Sequence, residues 1–226
     1  VALGAVTSGN GVQFYHACEC EDEERLVCIL RDFYFLNFKY SIISSEVLQG
    51  LKKEKLIFLK ESCLKQGIEI RVIAFARSIY EHLYSNYLQG VKRHGYTKVF
   101  GSYGNLDFRE QTQYLENYSS VFGNAFHLLN YDYSKTDIIA PFLEAVSLNY
   151  NGLSPLDFRV NRSLSENETY LLRSLNQIHK GKFSQIFSDF LLTSNPNLLT
   201  KPIYDAALVN EVYEQAADNL KWINSI

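Results

Sequence analysis

Arg77 and Ser85 are the residues whose types and spacing best suit chemistry. Arg77 closes an apolar, β-branched run, Ile70-Arg-Val-Ile-Ala-Phe-Ala76, and a helical pattern begins at once with Ser78-Ile-Tyr-Glu81. In an open α/β sheet, ligands collect outside the carboxyl ends of the strands, where the next helix aims its free N–H groups at negative charge. A guanidinium at that point offers a planar fork of donors to a phosphate. Ser85, two helical turns on, adds a hydroxyl from roughly the same side. The plain alternative is an arginine that ends a strand and only packs.

Other reactive side chains say less. Cys18, Cys20, Cys28 and Cys63 fall early and without regular spacing. Cys18-x-Cys20 has no C-x-x-C partner and no H-x-x-x-H, so the pattern is not that of a zinc site, and no metal is expected. Buried free thiols in a reducing compartment are the expectation. Lys92-Arg93-His94 close a helical pattern and read as complements of its dipole. Sixteen tyrosines and fifteen phenylalanines could line a sugar-binding cleft, but core packing accounts for most of them. Trp222, in the last helical stretch, is assigned to packing.

The elements that must position these residues alternate between helix and strand. Helices are expected at about 23–37, 51–66, 79–93, 107–122 and 137–146, and strands at 39–44, 69–75 and 125–130. Pro141 falls in the first turn of its helix and is tolerated there. Phe100 to Leu106 reads as a loop and a guess at an acceptor-contacting segment. Beyond Ser147 the pattern is helical alone. Ser165-x-x-Glu168 is a capping box launching a helix over 166–179, and another covers 205–223. The fold class is α/β, a three-layer parallel sheet flanked by helices with a helical C-terminal region. Residues 1–150 form the core, and 151–226 form an extension packed on the same domain.

Composition bounds the rest. The chain has 226 residues, 46% hydrophobic and 21% charged, enough for one sizeable core. A net charge of -3 excludes a general nucleic-acid binder, so any anion site must be local. No apolar run reaches the roughly 18 residues needed to span a bilayer, and no signal pattern opens the chain. A soluble, cytoplasmic protein without a membrane span is expected. The absence of methionine and the start Val1-Ala-Leu-Gly suggest a fragment, although a processed chain would look the same. Three parallel strands make a poor free-standing sheet, which suggests that a first strand and its loop are missing upstream.

Taken in order, five segments resemble the bacterial sulfotransferase-like group of the P-loop sulfotransferase superfamily. They are Ile42-Ile-Ser-Ser-Glu46; Arg71-Val-Ile-Ala-Phe-Ala-Arg77 with Tyr84-Ser-Asn-Tyr-Leu-Gln89; Tyr118-Ser-Ser-Val-Phe-Gly123; Asp137-Ile-Ile-Ala-Pro-Phe-Leu143; and Val160-Asn-Arg-Ser-Leu-Ser165. The resemblance implies a P-loop NTPase-like fold whose co-substrate is 3′-phosphoadenosine 5′-phosphosulfate. The family's 3′-phosphate-binding arginine and the serine eight residues later fall on Arg77 and Ser85. Its catalytic base often sits in the turn after the preceding strand, which Glu46 occupies. A carboxylate there would take the acceptor's proton if within hydrogen-bond reach. The alternative is that Glu46 or Ser45 caps the next helix. Arg162, with Asn161 and Ser163, resembles a late loop that folds over the nucleotide; the alternative is support of the capping box.

One departure is large. The family's 5′-phosphosulfate loop is a glycine turn with a lysine, whose backbone cradles phosphate and whose charge stabilises the leaving oxygen. Residues Leu3-Gly-Ala-Val-Thr-Ser-Gly-Asn-Gly11 imitate it, with Thr7 where the lysine is wanted. Either the true loop lies upstream or this one is degenerate. Two functions therefore stay open. One is transfer of a sulfuryl group to a hydroxyl or amine of a carbohydrate or small-molecule acceptor. The other is a non-catalytic nucleotide- or glycan-binding role within a larger protein. In both, the chain alone is expected to be inactive. A P-loop kinase is a weaker choice because G-x-x-x-x-G-K-[ST] is absent.

Overall fold

The computed structural model describes residues 9–34, 40–102, 109–149, 162–198, 200 and 202–224. In chain order the elements are α1 (Val12–Glu19), α2 (Glu23–Tyr34), α3 (Lys53–Lys65), β1 (Val72–Ala76), α4 (Ile79–Arg93), α5 (Arg109–Phe122), β2 (Phe126–Asn130), α6 (Tyr131–Ser134), α7 (Ile139–Ala145), α8 (Glu166–His179), α9 (Ser184–Ser194), α10 (Ala206–Gln215) and α11 (Ala217–Ile223). A 3-10 turn covers Glu46–Gly50. Among the described residues the chain is thus mostly helical with one small parallel sheet. Two compact units make it up.

The first unit comprises Val6–Ala76 and Arg109–Tyr150. Its sheet pairs β1 with β2 in parallel, in register from Val72 opposite Phe126 to Ala76 opposite Asn130. Every β1 residue is only half-buried, because each strand of a two-stranded sheet is an edge. The core lies between helices instead: α3 packs on α5 and on α1. Leu56, Leu59 and Cys63 of α3 are buried at helical spacing, with Leu115, Val121 and Phe122 of α5. Gly67 ends α3 at φ 70. Its N–H reaches the Leu64 carbonyl at 3.0 Å, and the Ile68 N–H reaches that of Cys63 at 2.9 Å, so the last carbonyls are satisfied.

The strand expected at 39–44 is not one over its described part. Residues 40–45 join no sheet. Their backbone is held by Asn10, whose Nδ2 donates to the Ile42 carbonyl and whose Oδ1 accepts from the Ser44 N–H, both at 2.8 Å. The Asn10 N–H adds a bond to the Ser44 carbonyl at 3.1 Å. A side-chain amide thus supplies the pairing that a neighbouring strand would have given. The sheet accordingly has two described strands rather than three.

The second unit comprises the described parts of Arg77–Phe108 and Asn151–Ile226. Here α4 is central, packing against α8, α9 and α10. Its buried face carries Tyr80, Tyr84, Tyr87, Leu88 and Val91. Phe100, expected in a loop, is an aromatic hub: its ring lies 5.5, 5.1 and 5.3 Å from those of Tyr80, Tyr84 and Tyr87. The capping box forms as read, with the Ser165 hydroxyl accepting from the Glu168 N–H and the Glu168 carboxylate accepting from the Ser165 N–H. The helix expected over 205–223 divides into α10 and α11 at Ala216, which is fully buried. Trp222, in α11, is half-buried.

Candidate functional site

Arg77 follows the last residue of β1 and precedes the Ser78 at which α4 begins. Within α4, positions 81, 84, 85 and 88 recur at intervals that keep them on one face, and Arg77, two residues before the first helical one, joins them through its bonds to Glu81. Arg77, Glu81, Tyr84, Ser85 and Leu88 line a cavity of about 40 Å³. Ser163, Leu164, Thr200 and Pro202 complete its lining. Three residues singled out in the sequence, Arg77, Ser85 and Ser163, therefore meet around one space. It is large enough for water but far below the roughly 300 Å³ of a drug-sized ligand site.

The electrostatics are more contested than the sequence suggested. The Arg77 side chain is 32% exposed and its fork is turned onto Glu81, with Nε at 3.2 Å and Nη2 at 3.0 Å from Oε2. Glu81 is 8% exposed. Its other oxygen accepts the Tyr204 hydroxyl at 2.6 Å. Tyr204 in turn stacks on Tyr80 with ring centroids 5.4 Å apart and planes 17° from parallel. Burial pushes the neighbouring Tyr84 phenol up to about 12. The donors fit a phosphate group; the volume as built does not take a nucleoside.

Arg162 is engaged inside the protein. Its guanidinium grips Glu168 with Nη1 at 2.8 Å from Oε2 and Nη2 at 2.7 Å from Oε1. It also donates to the carbonyls of Ser163 at 3.1 Å and Leu191 at 2.6 Å. Nε is buried without a partner among the described residues. This clamp ties the start of α8 to α9 through Glu168, the capping-box carboxylate, and the Leu191 carbonyl. Arg162 is not among the residues that line the cavity. Asn161 lies outside the described residues.

Glu46 heads the 3-10 turn and is exposed. It belongs to the first unit, in which the Ser44-Ser45 turn packs against the end of the glycine segment. A Cβ on Gly9 would fall 1.9 Å from the Ser44 carbonyl oxygen, and one on Gly11 would fall 2.7 Å from Ser45 Cβ. α1 begins at Val12, directly after this segment. Leu3 to Ser8 of the loop-like stretch lie outside the described residues.

The four cysteines are unpaired, with Cys18 and Cys63 buried and Cys20 and Cys28 exposed. Burial of all four therefore holds for two. Desolvation raises the Cys18 thiol to about 12 and the Cys63 thiol to about 11. Among the described residues no group of three His, Cys, Asp or Glu could hold a metal ion. No described helix is long and apolar enough to cross a membrane. Comparison with protein-family models, with curated proteins and with solved structures returned no match.

Sequence reasoning missed Glu81 and Tyr204. Glu81 had a weak local signal, since it is the acidic residue in the first turn of the helix that follows Arg77. Tyr204 had none: it reaches Glu81 from 123 residues away.

Proposed function

We propose that this chain is a sulfotransferase-like domain that binds the phosphate of 3′-phosphoadenosine 5′-phosphosulfate through Arg77 and Ser85, with Ser163 lining the same cavity. The observation that carries the reading is the shared cavity of these three residues. A guanidinium and two hydroxyls suit a phosphate. In the parent protein the acceptor would be a hydroxyl or amine of a carbohydrate or small molecule. Glu46 enters as the proton acceptor on resemblance alone. A cytoplasmic setting goes with this reading and with four unpaired thiols.

One observation favours the second reading, a relative that binds without transferring. Gly9-Asn10-Gly11 stands where a phosphosulfate loop would lead into its helix, yet Asn10 is committed to holding residues 42–44. The stretch Leu3 to Gly11 also carries no lysine. A loop of that composition lacks the cation needed at the leaving oxygen.

Calorimetric titration with 3′-phosphoadenosine 5′-phosphate tests the phosphate site. Arg77→Ala should weaken binding by about tenfold or more, the loss of a charge-assisted pair, and Ser85→Ala by about threefold. Equal affinity for wild type and Arg77→Ala would sink the assignment.

A further inference from the structure

A carboxylate beside the arginine of an anion site works against the anion. Glu81 is such a group, and its placement goes beyond the usual exposed i, i+4 surface pair, which contributes little. It is 8% exposed, takes two bonds from Arg77 on one oxygen and the Tyr204 hydroxyl on the other, and forms part of the cavity wall with Ser85 and Ser163. A phosphate at Arg77 would stand next to this charge. Like charges at such close range in a partly buried site repel, so the two anions cannot share the guanidinium without cost.

Tyr204 belongs to a short strap, Pro202–Asp205. The strap is fastened to α4 by the Tyr80 hydroxyl, which donates to the Ile203 carbonyl at 2.8 Å and accepts from the Asp205 N–H at 3.3 Å. Tyr80 is 1% exposed and does not move easily. The far end is anchored where the Asp205 carboxylate caps α10, accepting from the N–H groups of Ala207 and Leu208 at 2.9 and 3.1 Å. Tyr204 itself is 58% exposed, so swinging it out sacrifices little apolar burial. Pro202 of the same strap lines the cavity. One displacement would therefore release Glu81 and widen the space.

We infer that Glu81, held by Tyr204, is an intramolecular competitor for Arg77, and that a nucleotide phosphate gains Arg77 by displacing this carboxylate and moving the Pro202–Asp205 strap. The inference rests on the reading of Arg77 as a phosphate ligand. It makes the strap a latch on the site and sets the affinity by the contest between two anions for one guanidinium.

The test is calorimetric titration of 3′-phosphoadenosine 5′-phosphate against wild type, Glu81→Gln, Tyr204→Phe and Arg77→Ala. Glu81→Gln should tighten binding by about tenfold, and Tyr204→Phe, which keeps the ring and removes only the hydroxyl, by about threefold. Should Glu81→Gln fail to fold, Tyr204→Phe carries the comparison. Amide exchange at Asp205 should quicken on adding the nucleotide, because the bond to Tyr80 is lost. If both variants bind as wild type does while Arg77→Ala abolishes binding, the competitor is overturned and the phosphate reading stands. If Arg77→Ala binds as well as wild type, or if no variant binds, the phosphate reading falls and takes the latch with it.

Discussion

Arg162, whose side chain is 7% exposed, is a buried cation, and Glu168, at 14%, is its counter-ion. Removing one member of such a pair leaves an uncompensated charge in a poor solvent. Arg162→Ala should therefore destabilise the protein by about 3 kcal/mol in chemical denaturation. Arg162→Lys should recover little, because a point charge cannot reproduce the fork. The bond from Arg162, aided by the Ser165 N–H, holds the Glu168 carboxyl below its ordinary value of 4.5 against the opposing effect of burial. A depressed carboxyl contributes stability that is complete above the ordinary value and is lost as the pH falls through the depressed one. The loss of Tm caused by Glu168→Gln should accordingly be larger at pH 7 than at pH 3. An equal loss at both would show that the carboxylate charge contributes nothing. Ser165-x-x-Glu168 was legible in the sequence because a capping box is closed within four residues. The arginine that completes it also depends on a carbonyl of α9, which no local pattern announces.

Among the helices, α4 carries the candidate site, and the seat of the Tyr96 ring against it depends on Gly90 having no side chain. A Cβ there would meet the Tyr96 ring at 1.9 Å. Helix propensity alone says that alanine should stabilise an internal position by about 1 kcal/mol. Overpacking reverses the sign: Gly90→Ala should cost about 2 kcal/mol in a denaturant titration, and adding Tyr96→Ala should relieve part of it. Simple stabilisation by Gly90→Ala would show that the ring can move aside. Most helices were legible from periodicity. α1 and α9 were passed over, the first because it has only eight residues and follows a glycine segment. α9 was hidden by its composition, since Ile186 and Phe190 on it remain exposed and blur the amphipathic stripe. Residues 40–45 failed as a strand for a different reason, because Asn10 meets their hydrogen-bonding needs without a sheet.

For the molecule as a whole, the net charge of -3 means that any attraction for a polyanionic nucleotide must come from single arginines rather than from a general field. With no lysine between Leu3 and Gly11, the 226-residue chain should release no 3′-phosphoadenosine 5′-phosphate when incubated with the phosphosulfate donor and sugar or phenol acceptors. Multiple turnover, followed by chromatography of the nucleotide, would overturn the degenerate-loop reading. Binding and turnover are thus expected to part company in this chain.

By itself the sequence determined what depends on neighbours a few residues away. These are the passage from β1 through Arg77 into α4, the position of Ser85 within that helix, the capping box of α8 and the acidic balance of the chain. Such features follow from helical pitch and from backbone groups that must be satisfied locally. Only the tertiary structure decided that Ser163, Thr200 and Pro202 join Arg77 and Ser85 around one cavity, that Tyr204 holds Glu81, and that the space left is about 40 Å³. Those outcomes depend on which apolar faces meet after long stretches of chain have been brought together, and residue spacing does not encode such a meeting.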